Sequence, residues 1–196
     1  MPFQSWSDVV KAPRQFPSWL SGADDLTAAA IVGRALSFVG ECELPPSSNR
    51  GPLIDWWNAR RGAPLGSYWC ASFAAEMWVD CGAETAGVGR DPSCDLLMQW
   101  CVKTGRFSKE PAIGAFVFYG VPGDAKHVGI VTRTSPYLCT VEGNAAWGGA
   151  FNANGETVIA RRVLPGSPNI LGYGHVWPLA KGAPAAPAVS PAPTET

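Results

Sequence analysis

The sequence predicts an α+β domain in which helices come first and an antiparallel β-sheet follows. Two observations carry this. In the first half, apolar residues recur at helical spacing: Phe73, Met77 and Cys81 stand four apart, with Cys70 and Ala74 beside them. In the second half, short β-branched and aromatic runs are separated by Gly, Pro, Asn and Ser, as strands and tight turns require. The two kinds of segment do not alternate, which excludes a parallel sheet built from βαβ units. At 196 residues the chain suits one domain with additional segments at its ends.

Residues 1–22 contain Pro13 and Pro17 among scattered aromatics (Phe3, Trp6, Phe16 and Trp19), and are expected to form an irregular arm docked through those rings. A first helix is expected in "DDLTAAAIVGRALSFVG", opened by Asp24 or Asp25 and closed by Gly40. "ECELPPSSNRG" reads as a loop. "PLIDWWNARRG" reads as a short helix, with Pro52 in its first turn and Gly62 ending it. A third helix is expected over about Trp69 to Cys81, and a fourth in "DPSCDLLMQWCVKTG", with Asp91 as N-cap and Gly105 as its end. Five strands follow, in "AIGAFVFYG", "HVGIVTRT", "YLCTVEGN", "ETVIARRV" and "ILGYGHVWP". The Ala/Pro-rich tail, residues 181–196, offers little to bury and is expected to be disordered. No internal repeat is visible.

The composition excludes several function classes. The net charge is −1, and no Lys/Arg cluster exceeds a pair, which argues against nucleic acid and anionic membrane surfaces as partners. No apolar run reaches transmembrane length. The N-terminal stretch lacks the apolar core of a Sec signal, so the expectation is synthesis in the cytoplasm, with action at the cell wall or periplasm after release or delivery by another route. A monomer is expected. There are six cysteines and two histidines, with no C-x-x-C and no H-E-x-x-H, so no zinc site, no other metal and no organic cofactor are expected. Calcium is the one metal with candidate ligands of the right chemistry, the loop carboxylates in "ECE" and "GADD". Most cysteines are read as buried thiols, Cys94 and Cys101 simply sharing a helix face.

Cys70 stands apart. In "GSYWCASFAAEMW" it opens a helix, where the macrodipole favours a thiolate. A thiol nucleophile needs a base, a group that orients the base, and donors for the oxyanion. His127 begins "HVGIV" after the Gly/Pro stretch "GVPGDAK", a place expected at a sheet edge rather than in the core. Glu142 and Asn144 follow fifteen and seventeen residues later, at the end of the next strand. Antiparallel pairing would bring them beside His127, and on a regular strand both would point to one face. Either would then hold the imidazole tautomer. The competing reading of Cys70 is a small buried hydrophobe, and His175 is the rival base, otherwise structural.

A helix-borne Cys, then a strand-borne His, then a polar orienter is the order found in papain-like Cys-His hydrolases. The stretches "ECELPPSSNRGPLIDWW", "YWCASFAAEMW", "PAIGAFVFYG", "HVGIVTR" and "VEGNA", within roughly residues 36–146, resemble the CHAP family of cysteine- and histidine-dependent amidohydrolases and peptidases from phage endolysins and bacterial cell-wall enzymes. The resemblance implies a papain-like catalytic domain over residues 23–180. It also implies Cys70 as nucleophile, His127 as base, supporting roles for Glu142 and Asn144, and bacterial peptidoglycan as an amide substrate. An amidase toxin neutralised by an immunity protein, or a wall-binding module without turnover, would share the same stretches. The chain departs from the family pattern at Ala115, where an Asp usually follows the glycine of the first strand.

Three further residues are candidates for the oxyanion or substrate site. Asn49 is either a donor or a turn-former. Tyr68 and Trp69 immediately precede the nucleophile. Trp56, Trp57, Trp69 and Trp147 either line a groove that stacks on substrate or pack the core.

Overall fold

The computed structural model describes residues 26–83, 92–146, 155–163 and 169–179. The N-terminal arm, the caps proposed at Asp24, Asp25 and Asp91, Trp147 and the Ala/Pro tail lie outside the described residues. Four helices, α1 (Leu26–Leu36), α2 (Pro52–Arg61), α3 (Cys70–Asp80) and α4 (Cys94–Lys103), precede six strands. The strands are β1 (Phe107–Ser108), β2 (Phe116–Val121), β3 (Asp124–Arg133), β4 (Cys139–Ala145), β5 (Thr157–Arg162) and β6 (Ile170–Gly174). They form one sheet in the order β1-β6-β2-β3-β4-β5, with every pairing antiparallel. This is the expected α+β arrangement. The two-residue β1 was not expected, because a run that short has no readable alternation.

Local signals explain most boundaries. Pro52 occupies the first turn of α2, where its missing N–H is no loss, and Gly62 ends the helix in the left-handed conformation. Helix α4 starts later than expected. Ser93 is its N-cap, and the Ser93 hydroxyl accepts a hydrogen bond from the Leu96 N–H. Strand β3 starts earlier than expected: the turn from β2 is tight, so the strand begins at Asp124 and His127 is its fourth residue.

Helices α1, α3 and α4 all contact β3, and α2 packs on α3. Their shared core is strongly aromatic. Trp78 stacks on Phe116 at 3.8 Å between ring centroids, and Trp57 stacks on Trp69 at 5.8 Å. A second cluster holds Ala115, Val117, Tyr119, Val131 and Tyr173. Ala115, the position that departs from the family pattern, is fully buried there and presents nothing to solvent.

Two polar devices fix α3 within this core. The Glu76 carboxylate is fully buried and is held by Arg60 at 2.5 Å and Arg61 at 2.7 Å, which clamps α2 onto α3. Asp80 receives Arg34 of α1 at 2.9 Å. The segment after α1 closes the β5 edge: Gly40 N–H donates to Val158 O, and Glu43 N–H to Glu156 O. No helix among the described residues is long and apolar enough to cross a membrane.

Candidate active site

Cys70 is the first residue of α3, and Trp69 before it caps the helix without a side-chain hydrogen bond. The first N–H groups of α3 therefore have neither an intrahelical acceptor nor a capping oxygen. The approach of α3 to the sheet depends on Gly143 of β4. A Cβ there would stand 2.7 Å from the Trp69 ring and 2.9 Å from Phe73, so only glycine lets the strand pass under the first turn of this helix.

His127 is not at a sheet edge. Strand β3 lies between β2 and β4, and His127 is only 3 % exposed. The backbone alternation places it with Gly129 and Val131, while Val128 and Ile130 pack into the helix-side core. Its ring stacks on Tyr119, its cross-strand partner, at 5.9 Å.

The imidazole Nε2–H donates to Oε2 of Glu142 at 3.0 Å. Glu142 is fully buried, and all of its acceptor capacity is used. Oε2 also receives Arg161 at 3.1 Å, while Oε1 accepts from the Thr140 hydroxyl at 2.7 Å and the Tyr119 hydroxyl at 3.1 Å. Space for this carboxylate comes from Gly129, where a Cβ would stand 2.5 Å from Glu142 Cγ. With Nε2 engaged by Glu142, Nδ1 is the ring nitrogen left to serve Cys70.

Glu142 and Asn144 do not share a face. Asn144 takes the left-handed conformation, φ 53°, and the pairing of β4 with β5 shifts register between Glu142 and Ala145. The break interrupts the two-residue alternation, so Glu142 alone holds the imidazole. Asn144 donates instead to Asn49 Oδ1 at 3.1 Å. Asn49 is a left-handed turn residue, φ 53°, whose backbone N–H is held by the buried Glu43. It does not line the cleft, and it supports Asn144 from behind. Glu43 also accepts from the Trp69 indole at 3.0 Å, so one carboxylate in the loop after α1 ties together the residues flanking the site.

Cys70, His127, Asn144 and Tyr68 line one cleft of about 460 Å³, together with residues 92–95 and 124–126. Tyr68 stands at its mouth, 65 % exposed. Trp69 and Trp57 are fully buried core residues, which removes their side chains from any substrate groove. Trp56 is partly exposed under Arg60 and is not part of the cleft lining. His175 also lies away from the cleft: its Nε2 meets the Ser108 hydroxyl at 2.7 Å.

The thiol that sequence reasoning passed over is Cys94. Its Sγ lies 3.6 Å from the Cys70 Sγ, and both thiols are buried. Cys94 therefore does more than share a helix face with Cys101. Nor are most of the cysteines buried: Cys42 is exposed, and Cys81 and Cys139 are intermediate.

The charges follow from these contacts. The Cys94 S–H donates to Cys70 and is the strongest influence holding the Cys70 pKa well below that of a free thiol. Burial opposes it, and His127 and the Ala71 N–H assist. The same bond, together with burial, raises Cys94 well above its ordinary range. Burial alone would lower the His127 pKa, but hydrogen bonds and charge from Cys70 and Glu142 overcome it and push it up to about 9. Burial would raise Glu142, and His127 with Arg161 and Thr140 holds it below the usual carboxylate value. The two shifts run in the directions that favour a thiolate on Cys70 beside an imidazolium on His127. Sequence reasoning attributes the thiolate to the helix dipole and the imidazolium; the larger influence is the second thiol.

Among the described residues, no group of three or more His, Cys, Asp or Glu side chains is arranged to hold a metal ion. Comparison with models of known protein families, with curated proteins and with solved structures finds no match for the chain.

Proposed function

We propose that this chain is a papain-like cysteine hydrolase of the CHAP kind that cleaves an amide bond of bacterial peptidoglycan. The observation that carries the chemistry is the placement of Cys70 at the first turn of α3 on the same cleft as His127, whose far nitrogen is held by the buried Glu142. The five stretches resembling the CHAP family carry the substrate class.

The reaction then runs as follows. The Cys70 thiolate attacks the amide carbonyl carbon. The oxyanion is held by N–H groups at the start of α3, the Cys70 N–H first among them. The His127 imidazolium passes its proton to the departing amine, leaving an acyl thioester on Cys70. The neutral imidazole next takes a proton from water as the water attacks the thioester. Release of the carboxylic acid restores the ion pair. Glu142 keeps Nε2 protonated and stabilises the cation throughout. Asn144 Oδ1 is buried without a hydrogen-bond partner among the described residues, and it offers an acceptor beside the cleft for a substrate N–H.

The test is a zymogram on purified cell walls with wild type and Cys70→Ala, followed by mass spectrometry of the soluble fragments. New amine and carboxyl ends released by wild type alone are expected, and they also identify which amide is cut. Intact walls after incubation with correctly folded wild type would reject the reading.

A further inference from the structure

Cys70 and Cys94 are the first residues of α3 and α4, so two helix N-termini bring their thiols together at one cleft. Asp95 holds this convergence, because its carboxylate accepts the Ala125 N–H at 2.6 Å and ties the first turn of α4 to the start of β3. The sulfurs lie 3.6 Å apart, and a disulfide needs about 2.05 Å, so small side-chain adjustments at two helix starts would join them. Both residues line the cleft, through which a small oxidant would approach them. In the hydrolytic cycle Cys70 alone makes and breaks bonds to substrate, and Cys94, which hydrogen-bonds the Cys70 sulfur, takes no covalent part.

We propose that Cys70 and Cys94 form a reversible two-electron redox pair, oxidised by hydroperoxides to a Cys70–Cys94 disulfide and restored by thiols. The Cys70 thiolate attacks the terminal oxygen of ROOH. An S–O bond forms, the O–O bond breaks, and ROH departs with the proton from His127. Cys70 is then a sulfenic acid. The Cys94 sulfur attacks it, the S–S bond forms, the S–O bond breaks, and water leaves carrying the Cys94 proton. Two sulfurs have each lost one electron, and the peroxide has been reduced to ROH and water. Capture by Cys94 intercepts the sulfenic acid before it proceeds to sulfinic acid, which thiols do not reverse. Where Cys70 is the hydrolytic nucleophile, as proposed above, the disulfide also blocks that activity until it is reduced.

The test uses the full chain, reduced, freed of reductant and exposed to a small excess of hydrogen peroxide near neutral pH. Remaining thiols are alkylated under denaturing conditions, and the unreduced digest is mapped by mass spectrometry. The expected product is a cross-linked Cys70–Cys94 peptide pair that dithiothreitol reverses, with the other four cysteines alkylated. In Cys94→Ser, Cys70 is expected to gain two oxygen atoms that dithiothreitol does not remove. Wild-type Cys70 passing directly to sulfinic acid, linking to a different cysteine, or staying reduced overturns the proposal. The readout is a mass and needs no substrate. A chain that links but does not hydrolyse keeps the redox pair and loses the hydrolase reading, and a hydrolase that does not link does the reverse.

Discussion

His127 Nε2 donates to Glu142 Oε2 at 3.0 Å, and the carboxylate that accepts it is fully sealed from solvent. A buried carboxylate in this position fixes the ring orientation and favours its protonated form. We predict that Glu142→Gln, which keeps the shape and removes the charge, lowers turnover by roughly 10²-fold or more, the scale of a positioned acid–base group. The His127 pKa should fall with it, visible by NMR titration of the ring. Unchanged turnover together with an unchanged titration would separate Glu142 from the chemistry.

The ion pair also links stability to pH. The folded-state pKa of His127 is raised to about 9 from an ordinary 6.5. Its contribution to stability is therefore complete below about 6.5 and is lost as pH rises through about 9. Glu142 is shifted the other way, so its contribution is lost in acid. Thermal melts of wild type and His127→Ala from about pH 6 to 10 should converge toward the alkaline end. A constant gap between the two curves would show that the imidazole is not charged at neutral pH. Iodoacetamide should alkylate Cys70 in mild acid faster than any other cysteine, and His127→Ala should slow that labelling.

Glycine is required under the nucleophile helix. Gly143→Ala would force a methyl to 2.7 Å from the Trp69 ring, between a strand and a helix that are both fixed by packing. Overpacking of this kind costs about 1–3 kcal/mol, a drop of roughly 2–10 °C in melting temperature for a chain of this size. Scanning calorimetry decides the point, and a variant as stable as wild type would mean that α3 can lift off the sheet. Gly129→Ala differs in kind. Its Cβ would meet the Glu142 side chain at 2.5 Å and the Val141 carbonyl oxygen at 3.1 Å, which displaces the carboxylate that holds His127, so the expected loss is larger in turnover than in stability.

The two histidines should behave unlike each other. His175 bonds Ser108 and has a pKa lowered by burial, away from the cleft. His175→Gln should retain most activity, and His127→Gln should abolish it. The reverse pattern in a wall-turbidity assay would move the base to the end of the sheet.

Much of this arrangement was legible in the residues alone, because the relevant signals are local. Apolar spacing marks the helices, Pro52 and Gly62 bracket α2, and β-branched runs between turn residues mark the strands. The juxtaposition of His127 and Glu142 was also within reach, since a hairpin between neighbouring strands converts a fifteen-residue separation into a contact by pairing geometry alone. Tertiary packing decided the rest. No local period announces that Asn144 turns left-handed and leaves the face of Glu142, or that Trp69 points into the core while Tyr68 beside it stands at the cleft. The burial of Glu76 between Arg60 and Arg61, and of Glu142 beneath Arg161, depends on elements far apart in the chain. Cys94 is the clearest case. Its spacing to Cys101 describes a helix face, but its contact with Cys70 spans 24 positions and exists because α3 and α4 both pack against β3. A sequence encodes period and turn directly; the distance between two helix ends is set by the core that holds them.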